Sequence, residues 1–326
     1  MPKIIGTGMH LPEKLVTNEE MFDRFGRDKL PDIYARIGHG ARYHSAPNES
    51  SGDHAVKAGR NALRNAGIKA EDVDLLIVAT DTPAYLSPAT AAFVQHELGA
   101  HGSGAFDVNC ACAAGVTSMD IATKYIRTDP QYETALVVGT YAMSKFLDPT
   151  DKNCYPLFGD GAGAVVLQRE DGVEHTIASK LIADGSYWDY MGIYGGGSAE
   201  PAGAKMVAEG KQHVRILKKY PSTVNSENWP KLIEATLAKK QMTVKDVDLI
   251  IFTQIRKITI EEVLRGFGLP MEKTHCIMDK WGYTGSACVP MALHDAIQCG
   301  KLSRGDRFVL CASGGGYAMA CLAMTF

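Results

Sequence analysis

Residues 105–115 read Ala105-Phe106-Asp107-Val108-Asn109-Cys110-Ala111-Cys112-Ala113-Ala114-Gly115. The first four are strand-like, the small residues after them suit a turn, and Val116 to Ile126 has a helical pattern. The stretch is a strand-to-helix elbow with one thiol, Cys112, at the start of the helix. Free backbone N–H groups and the helix dipole gather there, which favours a thiolate and can hold an oxyanion. A thiol placed this way is suited to forming an acyl-thioester.

Outward from the elbow the chain repeats itself. Asp72-Val73-Asp74-Leu75-Leu76-Ile77-Val78-Ala79-Thr80 is answered by Asp246-Val247-Asp248-Leu249-Ile250-Ile251-Phe252-Thr253-Gln254, 174 positions on. Thr134-Ala135-Leu136-Val137-Val138-Gly139 is answered by Arg307-Phe308-Val309-Leu310-Cys311-Ala312, 173 positions on. All four runs read as strands buried on both faces. Helical stretches, Ser51 to Ala66 and Trp229 to Lys240, precede the first pair. Between the strands of each half lies a turn of small residues that opens a helix, Cys110 to Gly115 and Gly282 to Cys288. Solenoid units are far shorter than this period. The expected organisation is therefore an internal duplication of one α/β unit, residues 1–170 and 171–326. Three further segments complete the reading. Met1 to Gly8 reads as a short strand ending in a glycine turn, Tyr187 to Ala204 as loop, and Ser313-Gly314-Gly315-Gly316 as a tight turn into a last buried strand.

Composition narrows the class. The 326 residues are 45% hydrophobic and 22% charged, ordinary for a globular protein. The net charge of −3, from 34 basic and 37 acidic side chains, gives no reason to expect nucleic acid or an anionic membrane as partner. No apolar run approaches the ~20 residues of a membrane span, and the N-terminus lacks an apolar signal segment, so a cytoplasmic location is expected. Eight cysteines, several in apolar runs, fit reduced thiols. Cys110-x-Cys112 is not a zinc spacing and no second pair completes four ligands, so no metal site is expected.

In register, four segments resemble the β-ketoacyl-acyl-carrier-protein synthase III group of the thiolase superfamily. They are Gly40-Ala41-Arg42-Tyr43-His44-Ser45-Ala46-Pro47-Asn48-Glu49, the elbow Asp107 to Gly115, Leu157-Phe158-Gly159-Asp160-Gly161-Ala162-Gly163, and Ser313 to Gly316. The resemblance implies an α/β, five-layered αβαβα thiolase-like fold and a homodimer. It also implies substrates carried on coenzyme A or on acyl-carrier-protein phosphopantetheine, with no permanently bound cofactor. Carried over by position, Cys112 is the acylated nucleophile, and its own N–H with that of Gly315 forms the oxyanion hole. Arg36 and Lys152 fall where the family places cations near the coenzyme A nucleotide. Asp32 occupies a position where the family often has an adenine-stacking Trp.

The resemblance breaks at the partner residues. Family members carry a His just after the second-half strand and an Asn in the small-residue turn; here Thr253 and Tyr283 stand at those places. Each offers one O–H donor, and neither acts as a base near neutral pH as imidazole does. Gln254 and Arg256 are nearby polar candidates, with Gln254 on the alternate face of the strand. His275 and His294 read as structural. The expected function is therefore acyl transfer, with Cys112 loaded from an acyl thioester and unloaded onto an acceptor in fatty-acid-like or specialised metabolism. Two alternatives stand beside it: a decarboxylating synthase III that uses Thr253 and Tyr283, and a weakly catalytic partner of an active paralogue. By analogy with the family, the Tyr187 to Val214 region lines the entrance.

Overall fold

The computed structural model describes residues 2–326. Two large sheets form, and they repeat one strand order. The first contains β1 (Pro2–His10), β2 (Leu75–Ala79), β3 (Gly104–Val108), β4 (Thr134–Tyr141) and β5 (Gly161–Arg169), arranged β1-β5-β4-β2-β3. The second contains β6 (Thr176–Ala183), β7 (Leu249–Phe252), β8 (Arg307–Gly314) and β9 (Ala318–Thr325), arranged β6-β9-β8-β7. Strand directions correspond as well. The β2/β4 and β7/β8 pairs are parallel, and the β4/β5, β1/β5, β8/β9 and β6/β9 pairs are antiparallel. A lone parallel bridge, Ile250 to Thr274, stands in the second sheet where β3 stands in the first.

Five layers result. Helices α1 (Ser51–Ala66) and α2 (Thr90–Leu98) cover one face of the first sheet. Helix α4 (Val224–Leu237) covers the far face of the second, with α5 (Lys257–Gly266) beside it. Helices α3 (Ala114–Thr128) and α6 (Cys288–Gln298) lie between the sheets and touch strands of both. Each sheet is thus buried on two faces. That is why Leu75 to Ala79 and Leu249 to Phe252 read as unbroken apolar runs rather than as alternating ones. One hydrophobic core fills the middle layer and two more lie under the outer helices.

Local signals set the ends. Ser50 caps α1 in a box with Asp53, and Gly67, left-handed at φ 71°, closes it. Three expectations change. β1 continues to His10 instead of ending in a glycine turn. Gly6 and Gly8 lie inside that strand because α1 packs on them; a Cβ at Gly8 would sit 2.3 Å from the Ala62 nitrogen. Helix α4 spans Val224–Leu237 rather than Trp229 to Lys240, and a tighter 3-10 turn, Ala238–Lys240, follows it. Within the 187–204 region, Met191–Gly192 pairs with Arg215–Ile216. No helix among the described residues is long and apolar enough to cross a membrane.

Candidate active site

The parallel strands of both sheets deliver their C-terminal ends to one cavity of about 480 Å³. This is where open α/β sheets gather functional side chains. β2 leads to Asp81, β3 to Cys112, β4 to Tyr141, β7 to Ile255 and Arg256, and β8 to Ser313, Gly314 and Gly315. Trp188, Met191, Gly192, Ile193 and Val214 form part of the wall, where the family analogy placed an entrance.

The elbow is held by its neighbours. Ala111 adopts φ 47°, a left-handed conformation that costs a non-glycine residue energy. The Asn109 side chain accepts a hydrogen bond from the Ala111 N–H at 3.0 Å, and the Ala113 N–H donates to the Cys110 carbonyl at 3.1 Å. The Gly314 turn closes on the elbow. A Cβ at Gly314 would lie 2.4 Å from the Cys110 oxygen and 2.8 Å from the Cys112 nitrogen, so only glycine fits. Cys112 therefore lines the cavity half-buried, two residues before α3 begins, with Gly315 on the same wall.

Tyr283 is brought to this thiol from the other half of the chain. Its N–H donates to the Leu157 carbonyl (3.2 Å), its carbonyl accepts from the Gly159 N–H (2.9 Å), and its ring stacks on Phe158 at 5.6 Å. Tyr283 and Cys112 line the same cavity, and the Tyr283 side chain is near enough to act on the thiol. Burial, and then the charge of Asp81, nevertheless push the thiol well above its ordinary pKa, with Tyr283 opposing them. These effects run against the thiolate stabilisation expected from the helix terminus. Burial also raises the Asp81 carboxyl to about 6, opposed by its own N–H and by the neighbouring Ser286. Asp81 was not picked out from the sequence. Its position just past a parallel strand's C-terminal end was the signal that could have found it.

The remaining site expectations divide. Thr253 is fully buried and does not line the cavity. Its Oγ1 accepts from the Ser313 N–H at 2.9 Å and lies 3.4 Å from the Ser313 carbonyl, so it braces the glycine turn. Gln254 is also buried. It donates to the Phe252 carbonyl (2.8 Å) and accepts from the Ile277 N–H (2.8 Å). Arg256 does line the cavity, and it forms no ion pair among the described residues. Arg36, in the last turn of helix Leu30–Ile37, and Lys152, in the turn region before β5, are exposed and lie outside the cavity wall. His275 binds Asp295 (2.7 Å) and His294 binds Thr7 (2.9 Å), both within the fold.

No metal ligands were expected from the sequence. Outside the cavity, His10, Glu49 and His54 place one potential ligand atom each within 4.8 Å of one another. Glu49 is engaged there by Lys57 and by the Ala46 N–H, both at 3.0 Å, and the His54 Nε2 is 2.7 Å from the Ser45 Oγ.

Two thiolase-like halves closing on a cysteine at a strand-to-helix elbow define an enzyme of the thiolase class. Comparison with known proteins agrees. Residues 106–185 match the family 3-oxoacyl-[acyl-carrier-protein (ACP)] synthase III, and residues 237–326 match its C-terminal part. The chain is 35% identical to the β-ketoacyl-[acyl-carrier-protein] synthase III of Xanthomonas oryzae pv. oryzae, over 97% of this chain and 95% of that one. The crystal structure of the Aquifex aeolicus 3-oxoacyl-[acyl-carrier-protein] synthase III superposes with a TM-score of 0.88 at 30% identity, covering 100% of both chains. Another 3-oxoacyl-(acyl-carrier-protein) synthase III, solved at 2.1 Å, gives 0.92 at 27% identity, covering 100% of this chain and 99% of that one. The chain belongs to the β-ketoacyl-acyl-carrier-protein synthase III family.

Proposed function

We propose that this protein is an acyltransferase of the synthase III type. Cys112 takes an acyl group from a coenzyme A or acyl-carrier-protein thioester and passes it to an acceptor in fatty-acid-like or specialised metabolism. The observation that carries the reading is Cys112 on the cavity wall, with Tyr283 on the same wall and the Gly314–Gly315 turn against its backbone. As the sulfur attacks the thioester carbonyl, the N–H groups of Cys112 and Gly315 take the developing oxyanion. The Tyr283 hydroxyl is assigned to stabilise negative charge on sulfur as the acyl group later leaves.

The halves divide this work. Residues 1–170 carry the nucleophile; residues 171–326 carry Tyr283 and the glycine turn, with Thr253 acting through Ser313. Arg36 and Lys152 are assigned to the carrier's phosphates outside the cavity, and the working unit is assigned as a homodimer. The decarboxylating alternative calls on Thr253 to hold a thioester oxygen. The engagement of its hydroxyl with the Ser313 backbone favours the acyl-transfer reading. An open cavity around an intact elbow favours an active enzyme over a silent partner subunit.

Incubation with a panel of acyl-CoA thioesters, followed by intact mass, tests the reading. One acyl adduct is expected on the wild type and none on Cys112→Ala. An adduct that survives Cys112→Ala, or no adduct at all, overturns it.

A further inference from the structure

Asp81 is the one acidic residue among those lining the cavity that Cys112 faces, and no histidine lines it. Its Oδ1 is buried without a hydrogen-bond partner. Its own N–H and Ser286 are the groups that favour its charge, and the single Ser286 hydroxyl proton is already directed at the Thr140 carbonyl, 2.7 Å away. No cation pairs with Asp81 among the described residues, and Arg256, the cation on the same cavity, is not bonded to it. A desolvated carboxylate with no cation partner and one orphaned oxygen is costly to a fold. Rule-breaking of this kind is characteristic of functional sites.

We propose that Asp81 is the general base of the acyl transfer, accepting the Cys112 proton during loading and the acceptor's proton during unloading. The proposal rests on the acyl-transfer reading above. In loading, the S–H proton passes to an Asp81 oxygen as the Cys112 sulfur bonds the thioester carbon. The carrier sulfur then leaves with the C–S electron pair and takes that proton from Asp81. In unloading, Asp81 accepts a proton from the acceptor's attacking N–H, O–H or S–H group. The Cys112 sulfur leaves with its electron pair and is reprotonated from Asp81. A carboxylate here also opposes a second negative charge. The acceptor class this favours is a protic nucleophile, an amine, alcohol or thiol, rather than a carbon nucleophile freed by losing CO2.

The groups acting on Asp81, or acted on by it, are Cys112 from the elbow, Tyr141 from the end of β4, Ser286 from the turn before α6, and Cys288 at its start. Burial raises the thiols of Cys112 and Cys288 and the Tyr141 hydroxyl, so all stay neutral at pH 7 and leave Asp81 as the group of this set that titrates near pH 6.

The test compares wild type, Asp81→Asn and Asp81→Glu in two assays across pH 5–8. One is the rise and hydrolytic decay of the acetyl adduct after mixing with acetyl-CoA, with benzylamine and N-acetylcysteamine as further probe acceptors. The other is alkylation of Cys112 by iodoacetamide. Removing the Asp81 charge should speed alkylation of Asp81→Asn, because it lowers the thiol pKa. It should slow enzymatic loading and unloading by roughly 10²–10⁴-fold and abolish a wild-type acid limb near pH 6. Asp81→Glu should restore part of the rate. Acyl transfer that is unchanged or faster in Asp81→Asn would overturn the base assignment while leaving Cys112 acylation standing. A wild type that never acquires the adduct would remove the acyl-transfer reading and this proposal with it.

Discussion

Tyr283 separates ring from hydroxyl, which makes it a clean position to probe. Tyr283→Phe keeps the stack on Phe158 and removes the hydroxyl that lowers the Cys112 pKa. The thiol pKa should rise further and iodoacetamide alkylation at pH 8 should slow by roughly tenfold, in line with about one charge-assisted hydrogen bond. An unchanged alkylation profile would break the assigned contact. Asp81 should report in stability as well as rate. Its folded-state pKa of about 6 lies above the ordinary 3.8, so the native state binds this proton more tightly than the unfolded chain does. The stabilising contribution is present below pH 4 and is lost as pH rises through 6. Denaturant titrations of Asp81→Asn and wild type should agree near pH 4 and diverge to about 3 kcal/mol in favour of the variant at pH 8. Cys112 was legible in the sequence because an elbow is a local pattern. Asp81 was not, because its role depends on which strand ends share a cavity. The braced Thr253 hydroxyl was likewise invisible, because the Ser313 backbone that takes it lies 60 residues away.

At the scale of elements, the glycine turn after β8 is the tightest joint of the site. Gly314→Ala would press a methyl against the Cys110 oxygen and the Cys112 nitrogen, and backbone cannot yield as a flexible side chain can. The expected result is a folded protein with slowed Cys112 acylation and a stability loss of about 1–3 kcal/mol, read by intact mass and by denaturation. Normal acylation would show that the elbow tolerates displacement. Helix α1 was read to the residue, and the Ser50 cap and Gly67 mark both of its ends. β1 was misread because Gly6 and Gly8 look like turn residues, when what they supply is closeness to α1.

For the whole molecule, α3 and α6 join both sheets, so the halves should unfold together. Trp188, Trp229 and Trp281 all lie beyond residue 170, so tryptophan fluorescence reports the second half alone. Far-ultraviolet circular dichroism reports both halves. The two urea transitions should coincide, and a separation between them would mean the sheets are independent units. The repeat made this architecture legible from two strand pairs. The middle layer needed the structure, because nothing in the spacing says that α3 and α6 are sandwiched together.

One correspondence has a wider consequence. α3 begins at Ala114 and α6 at Cys288, so the repeat places Ser286 where the other copy has Cys112. Once a gene segment was doubled and fused, a single pair of elbows no longer had to do identical work. One elbow kept the reactive sulfur. The other became a hydroxyl within reach of the neighbouring carboxylate. Specialisation of this kind is closed to a symmetric pair of identical chains, in which every change appears on both sides at once.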